Sequence, residues 1–204
     1  PVLILGNTTN VAGPKAISIG YGAEAMGSSS LALGDDTDAD GENSISIGKD
    51  SNSKGLNSTA IGKTASAKAD YSLALGNFVN ASNTYAIAIG NNQTVTGEGA
   101  IGMGFGGNVS GAYSSVVGGN NLNVSGGLSG IYGGFYNSVS GFQSIITGGQ
   151  YNNNDGSRSG ISSGQYNTIR SGATDSFIAA GVGNIIGSTG YYTNIIGGLY
   201  SYAS

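Results

Sequence analysis

The chain has 204 residues, of which 39 are glycine, only 9% are charged and none is cysteine or histidine, and its net charge is −4. Glycine is far above its ordinary share of roughly 7%, yet it follows no three-residue period, so a collagen helix is excluded, and the low charge argues against a disordered chain. Without cysteine there is no disulfide framework. Without histidine there is no triad or metal-histidine site within one chain, and the seven scattered Lys and Arg make no positive stripe for nucleic acid.

The chain is organised by a period. An aliphatic residue stands three positions before a glycine at Leu3, Ile17, Leu31, Ile45, Leu73, Ile87 and Ile101, with Thr59 filling the one gap in that 14-residue series. The column continues as Val116, Ile131, Ile146 and Ile161 at steps of 15, then as Ile178 and Ile195 at steps of 17. Each repeat of the first half opens on an alternating run such as Ile17-Ser18-Ile19 or Leu73-Ala74-Leu75, which predicts a short strand closed by the following glycine. A second column lies eight residues after the first, through Val11, Ala25, Ala39, Ser53, Ala67, Ala81, Val95 and Val109. Two strands and two turns per repeat cannot bury their own apolar face and must stack on neighbouring repeats. The expectation is an all-β parallel β-roll, or solenoid, of about 14 rungs with two short strands per rung.

The residue between the paired aliphatics is always small: Ser18, Ala32, Ser46, Ala60, Ala74, Ala88 and Gly102. Such a face lets another backbone come close, and a roll this thin is expected to oligomerise. Residues 1–104 form the regular half and residues 105–204 a continuing, aromatic-rich half, with a change of cross-section near Gly104. There the second aliphatic disappears (Gly118, Gly133, Gly148) while the middle residue grows (Val117, Tyr132, Thr147). The step from first to second column reads as a constant eight, and the return step lengthens from six to seven and then to nine. The added residues are therefore expected in one corner.

Two clusters stand out as candidate sites. Asp36, Asp38 and Asp40 alternate before Gly41, which resembles a calcium loop, although Ile47 stands where its closing glutamate belongs. As a plain acidic corner, the same stretch would turn Ala39 inward and Asp38 and Asp40 outward. Tyr136, Tyr151, Tyr166 and Tyr200 each follow a glycine by two residues and would form an aromatic stripe, either packed rung on rung or offered as a binding surface. Asn137, Asn152, Asn167 and Asn184 come one residue later and read as a turn-stabilising ladder. No carboxylate pair is placed for acid–base work, so no enzyme activity and no cofactor is expected.

The pentapeptides Ala16-Ile17-Ser18-Ile19-Gly20, Ser30-Leu31-Ala32-Leu33-Gly34, Ser44-Ile45-Ser46-Ile47-Gly48, Ser72-Leu73-Ala74-Leu75-Gly76 and Ala86-Ile87-Ala88-Ile89-Gly90 resemble the head repeats of trimeric autotransporter adhesins, the YadA-like family. The second half, with Gly133-Gly134-Phe135-Tyr136-Asn137 and Gly148-Gly149-Gln150-Tyr151-Asn152, looks like the Gly-Gly-x-x-Asn variant of Moraxella-type heads. The resemblance implies a left-handed roll, a homotrimer, and an extracellular head on the bacterial outer membrane. It also implies attachment to host extracellular matrix proteins, host cells or surfaces. A receptor-binding or spacer segment of a phage or viral tail fibre is the alternative, and a rod without ligand a third. The chain opens at Pro1 and holds no apolar run of 18 residues, so it is expected to be a piece of a longer protein whose membrane anchor lies elsewhere.

Overall fold

The computed structural model describes residues 3–204. It is all-β, with no helix among the described residues, and forms a parallel β-solenoid of about 14 turns with two strands per turn. The chain divides into two compact units, Pro1–Gly99 and Ala100–Ser204.

In the first unit the strands Ile17–Ile19, Leu31–Leu33, Ile45–Ile47 and Thr59–Ile61 lie side by side in parallel, each residue beside its equivalent 14 positions on. The short strands Glu24–Ala25, Asp38–Ala39, Asn52–Ser53 and Ser66–Ala67 form the second ladder in the same way. Every strand is thus held by its neighbours one turn away. The glycine closing each first strand is fixed by backbone geometry. Gly20 sits at φ 141°, and a Cβ there would meet the Gly34 carbonyl oxygen at 1.7 Å. No other residue allows turns to stack so closely.

The sidedness differs from the sequence expectation. The small column points inward: Ser18, Ala32, Ser46, Ala60, Ala74 and Ala88 are completely buried. They face Ala25, Ala39, Ser53, Ala67 and Ala81, also completely buried. The backbone that the small residues admit is the opposite sheet of the same turn. The paired aliphatics point outward, where Leu33 and Leu75 remain about 40% exposed. Both faces of the strand are free of charge, so alternation gives the period but not its sign. The interior of a 14-residue turn is narrow and filled mainly by Ala and Ser, with Val95 the larger exception in the second column, and that decides it. The inward serines find partners: Ser18 Oγ donates to the Ala23 carbonyl at 2.8 Å, and Ser46 and Ser51 share a hydrogen bond at 2.8 Å, whereas Ser30 Oγ and Ser44 Oγ at the corner have none.

In the second unit the register corrects the sequence column. Ile101 lies beside Ser115, and Gly102 lies beside Val116. The column Val116, Ile131, Ile146, Ile161 and Ile178 therefore succeeds the small inward residues, not the outward aliphatics. A one-residue slip reverses the side a residue faces. Val116, Ile131, Ile146, Ile161 and Ile178 are all buried, opposite buried Val124, Val139, Ile169 and Ile186. The interior of this unit is filled by branched aliphatics, each contributing about 1.5–3 kcal/mol on burial.

The added residues also fall differently. Seven residues separate Ser18 from Ala25, and eight separate Val116 from Val124. The first insertion is the doubled glycine Gly118-Gly119, marked by a shift in pairing from Met103 beside Val117 to Phe105 beside Asn120. The return from Val124 to Ile131 is still seven residues, and only from Ile169 to Ile178 does it reach nine. Both corners lengthen, one after the other. The wider turns gain a third line of parallel bridges, through Asn120, Phe135, Gln150, Gln165, Val182 and Leu199.

Candidate functional site

The residue two positions after the closing glycine has a left-handed backbone. This holds for Asp36 (φ 49°), Phe78 (φ 52°), Asn92 (φ 53°) and Asn121 (φ 52°), and for Tyr136, Tyr151, Tyr166 and Tyr200 (φ 53–56°). Glycine, asparagine and aspartate adopt this geometry cheaply, whereas a bulky side chain there costs of order 1–3 kcal/mol. The backbone ladder passes through these residues all the same: the Tyr136 N–H donates to the Asn120 carbonyl at 3.0 Å and the Tyr151 N–H to the Phe135 carbonyl at 2.9 Å.

The strained position lays ring on ring. Tyr136 and Tyr151 stack with centroids 5.3 Å apart and planes within 2°, and Tyr151 and Tyr166 at 5.1 Å and 7°. Phe135 meets Tyr136 and Tyr151 edge-on, at 4.4 and 5.8 Å. Such aromatic pairs add about 0.5–1.5 kcal/mol beyond their burial, which offsets part of the backbone cost. Stacked faces turn toward each other, so solvent meets the ring edges. Tyr151, in the middle, is still 42% exposed.

Tyr200 stands apart from these three. Gly183 occupies the tyrosine position on the intervening turn, and a Cβ on it would lie 2.4 Å from the Tyr200 ring. The structure thus brings Tyr136, Tyr151 and Tyr166 together and lays Tyr200 over the glycine.

Beneath the tyrosines run the asparagines. Asn137, Asn152, Asn167 and Asn184 are buried. The Asn137 Oδ1 accepts the Asn152 N–H at 2.9 Å, the Asn152 Oδ1 the Asn167 N–H at 3.0 Å, and the Asn167 Oδ1 the Asn184 N–H at 3.0 Å. Each Nδ2 donates to a glycine carbonyl of the next turn, as Asn152 does to Gly164 at 2.9 Å. The other corner carries a second internal ladder, unmarked in the sequence reading. There the Ser129 Oγ accepts the Ser144 N–H at 3.0 Å and the Ser159 Oγ the Ser176 N–H at 3.2 Å. A serine two residues before each inward aliphatic was the available signal.

In the acidic corner, Ala39 is buried, Asp40 exposed and Asp38 half-buried. Asp36, Asp38 and Asp40 occupy three different positions along the turn. Asp36 sits on the left-handed corner, Asp38 lies between Glu24 and Asn52 in the second ladder, and Asp40 follows it. No three acidic side chains among the described residues are grouped so as to hold a metal ion. Burial pushes the Asp38 carboxyl above its ordinary value, helped by the charges of Asp40 and Glu24 and opposed by Lys54. Asp35 is paired with Lys49 at 2.8 Å.

Two surfaces therefore distinguish the molecule: an outward aliphatic stripe on the first unit and a stacked tyrosine corner on the second. A parallel solenoid with these surfaces belongs to the class of β-solenoid repeat proteins. Residues 25–51 and 53–78 match the model of the YadA head domain repeat, in two copies. This part of the chain is similar to a YadA head. No curated protein matches the chain.

Proposed function

We propose that the chain is the adhesive head of a trimeric autotransporter, displayed on a bacterial outer membrane. In this reading three copies pack through the outward aliphatic stripe of the first unit. The observation that carries it is that stripe, built from the same repeats that match the YadA head. On adjoining turns Leu31 lies beside Ile45 and Leu33 beside Ile47, and likewise Leu73 beside Ile87 and Leu75 beside Ile89, all facing away from the core and none fully buried in one chain. A continuous apolar strip of this kind marks an interface. Light scattering on the head should give three times the chain mass and hold that value on dilution. A stable monomer would refute the trimer.

The partner of the assembled head is a host extracellular matrix protein or cell-surface receptor, and the contacting residues are Tyr136, Tyr151 and Tyr166, with Tyr200. Tyrosine offers large area with a polar tip, and three copies of a short row let weak contacts add by avidity. The test is the triple variant Tyr136→Asn, Tyr151→Asn, Tyr166→Asn. Asparagine already occupies the same left-handed position at Asn92 and Asn121, so the turns keep their geometry. Binding to a panel of immobilised matrix proteins should fall at least tenfold. Unchanged binding by a folded variant would remove the tyrosines from the site.

A further inference from the structure

We propose that the tyrosine stack is a site of oxidative modification, at which Tyr151 becomes joined to Tyr136 or Tyr166 through a dityrosine bond. The inference stands on ring geometry and does not depend on what the head adheres to. Dityrosine forms when two phenoxyl radicals meet, and in free solution this is limited by encounter. Here the left-handed turns hold Tyr136 and Tyr151 at 5.3 Å and 2°, and Tyr151 and Tyr166 at 5.1 Å and 7°. Such near-parallel stacking places like edges of neighbouring rings side by side, one turn apart. All three remain open to an oxidant, at 47%, 42% and 56% exposure. Positioning of this kind converts a bimolecular coupling into an intramolecular one with a high effective concentration.

The co-reactant is a one-electron oxidant, such as a haem peroxidase supplied with hydrogen peroxide. It removes one electron and the phenolic proton from each ring. The two radicals couple carbon to carbon at positions ortho to the oxygens, and each coupled carbon gives up its hydrogen as a proton while its ring regains aromaticity and its hydroxyl. Two ring C–H bonds are lost and one C–C bond is formed. The two hydrogens removed reduce one hydrogen peroxide to two waters. Tyr151 has two ortho positions and neighbours on both sides, so it is the centre of the reaction. Tyr71 and Tyr85, stacked at 5.1 Å and 13° in the first unit, form a second pair of the same kind.

The bond would tie turns 15 residues apart into a covalent loop, as a disulfide does, in a chain without cysteine. The test is to treat the purified head with peroxidase and peroxide and map the products by tandem mass spectrometry after proteolysis. The expected products are Tyr136–Tyr151 and Tyr151–Tyr166 cross-links, each lighter by two hydrogen atoms. The chain should keep its single-chain size on a denaturing gel and unfold at a higher temperature. Tyr151→Phe should abolish both products and leave the Tyr71–Tyr85 product intact. Phe78 already occupies the same turn position at φ 52°, so this variant folds. The proposal is overturned if oxidation instead joins the more exposed Tyr191, Tyr192 or Tyr202, if the bonds link separate chains, or if no dityrosine emission appears while peroxide is consumed.

Discussion

Val116 lies beside Gly102 in the first sheet, on the inward side, and not beside Ile101. This single relationship converts a core of alanine and serine into one of valine and isoleucine. It separates two kinds of aliphatic residue that look alike in the sequence. Ile146 is completely buried, whereas Ile45 is 37% exposed in a single chain. Ile146→Ala should cost about 2–5 kcal/mol in denaturant unfolding, because the cavity is enclosed by its own chain. Ile45→Ala should cost under about 1 kcal/mol in a monomer and should weaken assembly instead. Equal losses for both variants in a dissociated chain would contradict the assigned sidedness.

The fold itself was legible because Gly20, Gly34 and Gly48 recur at one spacing and stacked turns leave no alternative to glycine there. The inward placement of Ala39 was legible too, since charged neighbours on both sides leave only one way to face. The sign of the Ile17-Ser18-Ile19 strand was not, because neither face is charged. The slip at Val116 was hidden for a related reason. Shifting one residue keeps an aliphatic in every repeat, and only the volume available inside the turn decides which register is filled. In the candidate site, equal spacing revealed the stack of Tyr136, Tyr151 and Tyr166. Tyr200 holds the same left-handed position two turns beyond Tyr166, but the spacing hid that Gly183 on the intervening turn separates it from the stack.

The asparagine ladder is a test of buried polar satisfaction. Asn167 accepts the Asn184 N–H and donates to the Gly181 carbonyl at 2.9 Å. Asn167→Ala leaves the buried Asn184 N–H without a partner, while the Gly181 carbonyl still accepts the Gln165 N–H at 3.0 Å. The variant should destabilise the second unit by about 1–3 kcal/mol, the cost of one orphaned group. Asn167→Asp should be similarly harmful, since an ionised carboxylate offers no donor to the glycine carbonyl. Urea titration of both variants checks this, and wild-type stability in either would contradict the ladder.

Asn154 is the converse case. It stands in the inward column between Val139 and Ile169, with no hydrogen-bond partner for its Oδ1. Its Nδ2 donates to the carbonyls of Ile145 and Ser159, at 3.2 and 2.9 Å. The Ser159 carbonyl already accepts the Ile145 N–H at 3.0 Å, so it keeps a partner when the side chain is removed. Asn154→Val should raise stability by about 1 kcal/mol, the unsatisfied acceptor being exchanged for apolar contact. A clear loss in thermal unfolding would show that the two donated bonds outweigh the orphaned oxygen.

Asp38 makes stability depend on pH in a direction opposite to a paired carboxylate. Its pKa in the fold is raised above the ordinary 3.8, chiefly by burial and then by Asp40 and Glu24. The folded state therefore binds the proton more tightly than the unfolded chain does. This residue's contribution is unfavourable above the folded pKa and is relieved as pH falls through that value toward 3.8. Asp38→Asn should stabilise the head at neutral pH, and the gain should shrink to nothing in acid. Asparagine suits the place, since Asn52 and Asn80 hold the equivalent ladder position one turn before and one turn after Ser66. Unfolding curves of the two proteins at neutral pH and below pH 3.8 decide the matter. A gain that persists unchanged in acid would mean that shape, not charge, sets the effect.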